Sequence, residues 1–213
     1  MHAIKVIRGA FAMEQIKLGI WYDNDMVENA NKIHIIAEQI TGINETLISG
    51  ETVSGEDLRV LVDNVQEVLD KWVGHTYIGH QKEKILSDAY QAFFNALYGF
   101  ILLCRNSSNE DWQAFAKEAL YEGTLYRYLG HNTSSERRFR VRPRYNNKWV
   151  SWSKYKEVDY IESKLCGSPI TRLECHTGLI YGIDLQAFGA SRPHEAEVVY
   201  PTIKSQIDNI EYL

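Results

Sequence analysis

The sequence predicts an α+β protein in which a helical N-terminal part packs on a C-terminal mixed, mostly antiparallel β-sandwich. Three observations carry this. From Met26 to about Gly123, apolar residues recur at three- and four-residue spacing, the period of an amphipathic helix. From Leu125 onward the period falls to two, as in RFRVRPRY and EAEVVYP, with Gly, Pro, Asn and Ser between the runs. The change near Gly123 has no linker composition around it, which sets a boundary between a helical region, 1–122, and a β-rich core, 123–213, within one compact unit.

The first helix is read from Met26, Ala30, Ile33, Ala37 and Ile40, with Asp25 and Glu28 as a capping box and Gly42 as its stop. Ser54 and Asp57 open a second, lined by Leu58, Leu61, Val62, Val65, Val68, Leu69 and Trp72 and closed by Gly74. A third runs from about Glu83 to Cys104. A fourth begins near Ser108, uses Trp112, Phe115, Ala119 and Leu120, and stops at Gly123. Among the later strands, the run KYKEVDYIESKL after Ser153 places Val158, Ile161 and Leu165 on one side and predicts a helical interlude.

With 213 residues, 45% of them hydrophobic and 12% aromatic, the chain has ample material for a core. Its net charge of -5 argues against binding nucleic acid over the whole surface. The three cysteines, Cys104, Cys166 and Cys175, form no CxxC pair, which suits a reducing compartment and argues against a metal site or a disulfide framework. His75 and His80 are isolated in a loop between helices with no carboxylate or cysteine at ligand spacing, and nothing in the spacing of His131, just after the arginine strand, demands a role. The opening MHAIKVIRGAFAMEQIK lacks a signal-peptide pattern, and the longest apolar run, Ala96 to Cys104, is less than half of the ~20 residues that cross a bilayer. A cytoplasmic protein without a membrane partner is therefore expected.

Three segments suggest chemistry. In HEAEVVYP, strand alternation puts Glu195 and Glu197 on one face, ~7 Å apart. That is either a solvated face or a pair of carboxylates suited to sugar transfer, one stabilising an oxocarbenium-like centre and the other activating an acceptor. In WVSWS, Ser151 and Ser153 share a face, as a helix N-cap or as hydroxyls that hold a carboxylate. In TLYRYLG, Arg127 sits inside an apolar strand, where a guanidinium needs an anion: an acidic side chain, or a pyrophosphate gripped by its fork.

LYRYLG, VSWSK and HEAEVVYP, in that order, resemble the three motifs of the R-S-E class of ADP-ribosyltransferases, which includes clostridial binary toxins, C3-type exoenzymes and arginine-specific transferases. The resemblance covers about Leu125 to Leu213. It implies the ADP-ribosyltransferase type of β-sandwich and NAD⁺ as a substrate, with no metal. It implies that Arg127 holds the NAD⁺ phosphates and that Tyr128 and Ser153 line the same site. Ser151 would orient Glu197, and Glu197 would bond the nicotinamide-ribose 2′-hydroxyl. Glu195 stands at the position that selects the acceptor, and a glutamate there implies a protein arginine. Phe188, Arg192 and His194 would belong to the loop that meets the acceptor. The chain departs from the pattern at Tyr128, where glycine is common, at Trp152, where a small residue is common, and at Arg192, where an aromatic is often found. By analogy, such a transferase is a toxin-like effector with an inhibitory, antitoxin-like partner.

The segment ERRFRVRPRY places Arg138, Arg140, Arg142 and Arg144 on one strand face. They are read as an edge strand protected by charge, as a phosphate-binding stripe for RNA or DNA that would make nucleic acid the acceptor, or as a surface for an acidic protein. The last two also frame a rival to the enzyme, a binding module whose basic strand is its working surface.

Overall fold

A computed structural model describes residues 26–74, 83–130, 148–156, 170–178, 180–190, 196–201 and 207–212. The Asp25 cap, His75, His80, His131, the basic strand around Arg138–Arg144, the helical interlude with Val158, Ile161 and Leu165, and Cys166 lie outside the described residues. The fold is α+β. By proximity the chain divides into two units, one holding the helices through Ala119 together with Ala187–Ala190, the other holding the strands.

In the helical unit, α1 (Met26–Ser49) buries Ala30, Ile33, Ala37 and Ile40 of the expected stripe, with Ile36 beside them. It does not stop at Gly42. Thr41 and Thr46 bond back to the carbonyls of Ala37 and Gly42 within the continuing helix, and the stop falls at Gly50, whose φ of 80° is the left-handed conformation glycine adopts without penalty. Gly50 N–H donates to Leu47 O and Glu51 N–H to Thr46 O, the paired bonds of a Schellman cap. The next helix, α2 (Gly55–Gly74), starts as expected: Ser54 Oγ accepts from Asp57 N–H at 3.1 Å and donates to its carboxylate at 2.6 Å.

Packed on α1 is α3 (Glu83–Arg105), the most apolar of the described helices, burying Tyr90, Phe93, Phe94, Leu97 and Ile101. Trp72 of α2 meets Tyr90 and Phe94 edge-on, with centroids at 4.8 and 4.9 Å, within the range where aromatic pairs attract. Asn44 Nδ2 donates to Ala96 O at 3.0 Å and so joins α1 to α3 through a polar contact. Finally α4 (Glu110–Ala119) is capped by Asn109, whose Oδ1 accepts from Asp111 and Trp112 N–H. It ends four residues before the expected Gly123, because Leu120–Tyr121 leave the helix and pair as a strand.

The strands are β1 (Leu120–Tyr121), β2 (Thr124–Gly130), β3 (Trp149–Ser153), β4 (Ile170–His176), β5 (Gly182–Asp184), β6 (Glu197–Pro201) and β7 (Ile207–Tyr212). They form one sheet in the order β1-β5-β6-β3-β2-β4-β7, and every pairing among the described residues is antiparallel. One face carries the apolar cluster of Leu125, Trp152, Leu173, Cys175, Val198 and Tyr200, and Trp152 Nε1 donates to Tyr200 O at 3.2 Å. Gly182 is required by close approach, since a Cβ there would collide with the Val198 side chain.

Burial pushes the thiols of Cys104 and Cys175 up from their ordinary 9.0 to about 12. One thiol reports on each unit. Unfolding releases groups that ionise near 9, so their contribution to stability is complete below that pH and is lost progressively as pH rises toward 12. In a Cys166→Ser background at pH 8.5, Cys104 and Cys175 are expected to resist a thiol reagent until denaturant is added. Stoichiometric labelling of the native protein within minutes would show that these sites are not closed.

Candidate functional site

Directly opposed residues of neighbouring strands share a face. Tyr126 of β2 lies opposite Ser153 of β3, and Ser153 lies opposite Glu197 of β6. A ring, a hydroxyl and a carboxylate therefore stand in one row across three adjacent strands, spanning about 10 Å of sheet. Glu197 is only 4% exposed and Ser153 only 7%. A carboxylate taken that far from water has to be bonded to be tolerated, which distinguishes it from a glutamate on a solvated strand face.

Ser151, the expected partner of Glu197, lies opposite Val199 on the same face, and the residue directly opposite Glu197 is Ser153. Ser153 Oγ also accepts from Tyr155 N–H at 3.0 Å, which fixes the turn leaving β3. Tyr126 was not singled out in the sequence; its only signal there is its place beside Arg127.

Only the Glu197 end of the expected Glu195–Glu197 alternation falls among the described residues. Strand β6 begins at Glu197, and the buried Ala196 before it has φ of 40°, in the left-handed region that a residue with a Cβ enters at a cost. Glu195, Arg192 and His194 lie outside the described residues.

Arg127 lies opposite Leu173, and alternation sets it on the face of Leu125, away from Tyr126. Its Nη1 donates to the backbone carbonyl of Ser151, so a main-chain oxygen of β3 is among its partners. Tyr128 donates its hydroxyl to the carbonyl of Lys156, again tying β2 to the chain that follows β3. Tyr128 also lies opposite Arg172, which pairs with Glu211 of β7. Burial works against the Arg172 charge, but hydrogen bonds with Tyr128 and Glu211 outweigh it and keep the guanidinium more firmly protonated than usual. Phe188, expected in the acceptor loop, is buried in a 3₁₀ turn (Leu185–Phe188) and meets Phe115 edge-on at 5.5 Å. It is a core aromatic.

Among the described residues, no group of three or more His, Cys, Asp and Glu could hold a metal ion, and no helix is long and apolar enough to cross a membrane.

The strain at Ala196 is testable against a control. Deleting the buried methyl of a helical alanine such as Ala116 combines lost burial with poorer helix propensity, about 1.5–2 kcal/mol together. At Ala196 glycine relieves a left-handed backbone worth about 1–2 kcal/mol, so Ala196→Gly should leave stability within about 1 kcal/mol of the parent. Ala196→Val should be strongly destabilising, because a β-branched side chain fits that conformation worst. Equal losses for Ala196→Gly and Ala116→Gly in denaturant titrations would refute the assignment of strain. The chain matches no protein-family model, no curated protein and no solved structure.

Proposed function

We propose that the chain is a mono-ADP-ribosyltransferase that moves ADP-ribose from NAD⁺ to an arginine side chain of a protein. The observation that carries this reading is the adjacency of three strands. LYRYLG, VSWSK and EVVYP lie on β2, β3 and β6, immediate neighbours in the sheet, with a buried glutamate facing a serine between two of them. The antiparallel sheet and the separate helical unit are compatible with an ADP-ribosyltransferase-type core and its variable helical portion.

In the proposed reaction the bond between the ribose C1′ and the nicotinamide nitrogen breaks, and nicotinamide leaves with the electron pair. Glu197 accepts a hydrogen bond from the ribose 2′-hydroxyl and stabilises the oxocarbenium-like centre that develops. A guanidine nitrogen of the acceptor attacks C1′ and passes its proton to Glu195. Ser153, opposite Glu197, holds the carboxylate, and Ser151 lies two residues further along β3. Tyr128 shares the Glu197 face and lines the pyrophosphate side of NAD⁺, while Arg127, on the opposite face, supports the site through its bond to the Ser151 carbonyl.

Purified protein incubated with labelled NAD⁺ and a cell extract, beside Glu197→Gln, tests this. The wild type should release nicotinamide, and Glu197→Gln should lower the rate by at least ~100-fold while melting within a few degrees of the parent. Label removed by protease identifies a protein acceptor. Label removed by nuclease would move the acceptor to RNA or DNA gripped through Arg138, Arg140, Arg142 and Arg144. Undiminished NAD⁺ cleavage by Glu197→Gln would overturn the site. No turnover by folded wild type would overturn the transferase and leave a binding module, to be probed by reversing Arg140 and Arg142.

A further inference from the structure

Lys154 follows Ser153 at the end of β3, and its backbone N–H donates to the carbonyl of Ala196 at 3.2 Å. That carbonyl belongs to the peptide joining the strained Ala196 to Glu197. Its ammonium lies 2.8 Å from Asp184 Oδ2 and 2.6 Å from Gln186 Oε1, and 5.9 Å from the centroid of the Tyr121 ring. Asp184 ends β5 opposite Val198 and is itself fixed, because its Oδ1 accepts from Gln186 N–H at 3.1 Å. The Lys154 and Asp184 side chains are 18% and 13% exposed, so the pair is largely withdrawn from water and held by more than one bond.

One residue thus joins β3, β5 and the entrance to β6. We infer that Lys154 is a positioning residue for Glu197: the Lys154 ammonium locks β3 to β5, and the Lys154 N–H then holds the left-handed Ala196 peptide that aims the carboxylate at the row of Ser153 and Tyr126. An isolated ion pair adds little to stability. Its effect here is on geometry, and a displacement of about 1 Å at a reacting group can lower a rate ~100-fold. The clamp itself rests on coordinates alone, while its catalytic consequence rests on the transferase reading.

Lys154→Met and Lys154→Arg, made in the full chain, separate the two. With carboxyl-¹³C glutamate incorporated and Glu197→Gln used for assignment, Lys154→Met should shift the Glu197 carboxyl resonance and its titration midpoint. Amide-exchange protection should fall at 196–199 and be retained in the helices. Nicotinamide release should show kcat lowered at least about tenfold with KM for NAD⁺ altered less than about threefold. Lys154→Arg, which keeps a cation for Asp184, should restore most of both. A Glu197 resonance and titration unchanged in Lys154→Met would overturn the clamp, whatever the activity. If wild type releases no nicotinamide, the transferase reading falls, and the resonance still decides whether Lys154 positions Glu197.

Discussion

The burial of Glu197 is the constraint on which the β-rich unit turns. A carboxylate 4% exposed at the first residue of a strand needs neighbours whose positions do not drift, and three features supply them. The antiparallel register of β3 and β6 sets Ser153 opposite it, the left-handed Ala196 peptide sets where the strand begins, and the Ala196 carbonyl is bonded to the next residue of β3. Strain at Ala196 persists because the surroundings determine the peptide twice, through the buried methyl on one side and the Lys154 N–H on the other.

The two faces of the sheet divide the work. Leu125, Leu173, Cys175, Trp152, Val198 and Tyr200 form a wholly apolar cluster on one face, and the alternate positions of the same strands mix Tyr126, Tyr128, Ser151, Ser153, Arg172 and Glu197 with the buried Trp149 and Val199. Arg127 is the exception in chemistry, since it is a cation on the apolar side. Its bond to the Ser151 carbonyl gives the half-buried guanidinium a main-chain acceptor on that side. Between β2 and β3 the register pairs only Tyr126 with Ser153, and the Arg127 and Tyr128 side chains add bonds across that sparsely paired seam.

Much of this was legible because it is local. The apolar stripes of α1 and α3, the Ser54 cap and the strand carrying Arg127 follow from spacings of four residues or fewer. What was misread depends on something the local pattern omits. Gly42 resembled a stop because a glycine weakens a helix, yet packing of α1 on α3 continues past it and the left-handed residue is Gly50. Gly123 resembled the end of α4, but pairing of Leu120 with Ile183, 63 positions away, ended it earlier. Which serine lies directly opposite Glu197 is set by register between strands more than 40 residues apart. A shift of two positions keeps every residue on its face and still exchanges Ser151 for Ser153.

The same reasoning applies to the direction of Glu197. Alternation along a strand holds only while the backbone stays extended. Ala196 is left-handed, so Glu197 takes its face from the register with Ser153. β6 reaches its place by inserting between β5 and β3, elements that precede it in the chain, and only this insertion brings Glu197 level with Ser153 and Tyr126. The placement of Glu197 depends on the pairing of β6 more than on the identity of the residues flanking it. Contacts that fix the start of β6 are therefore where variation would alter the site without altering the motif.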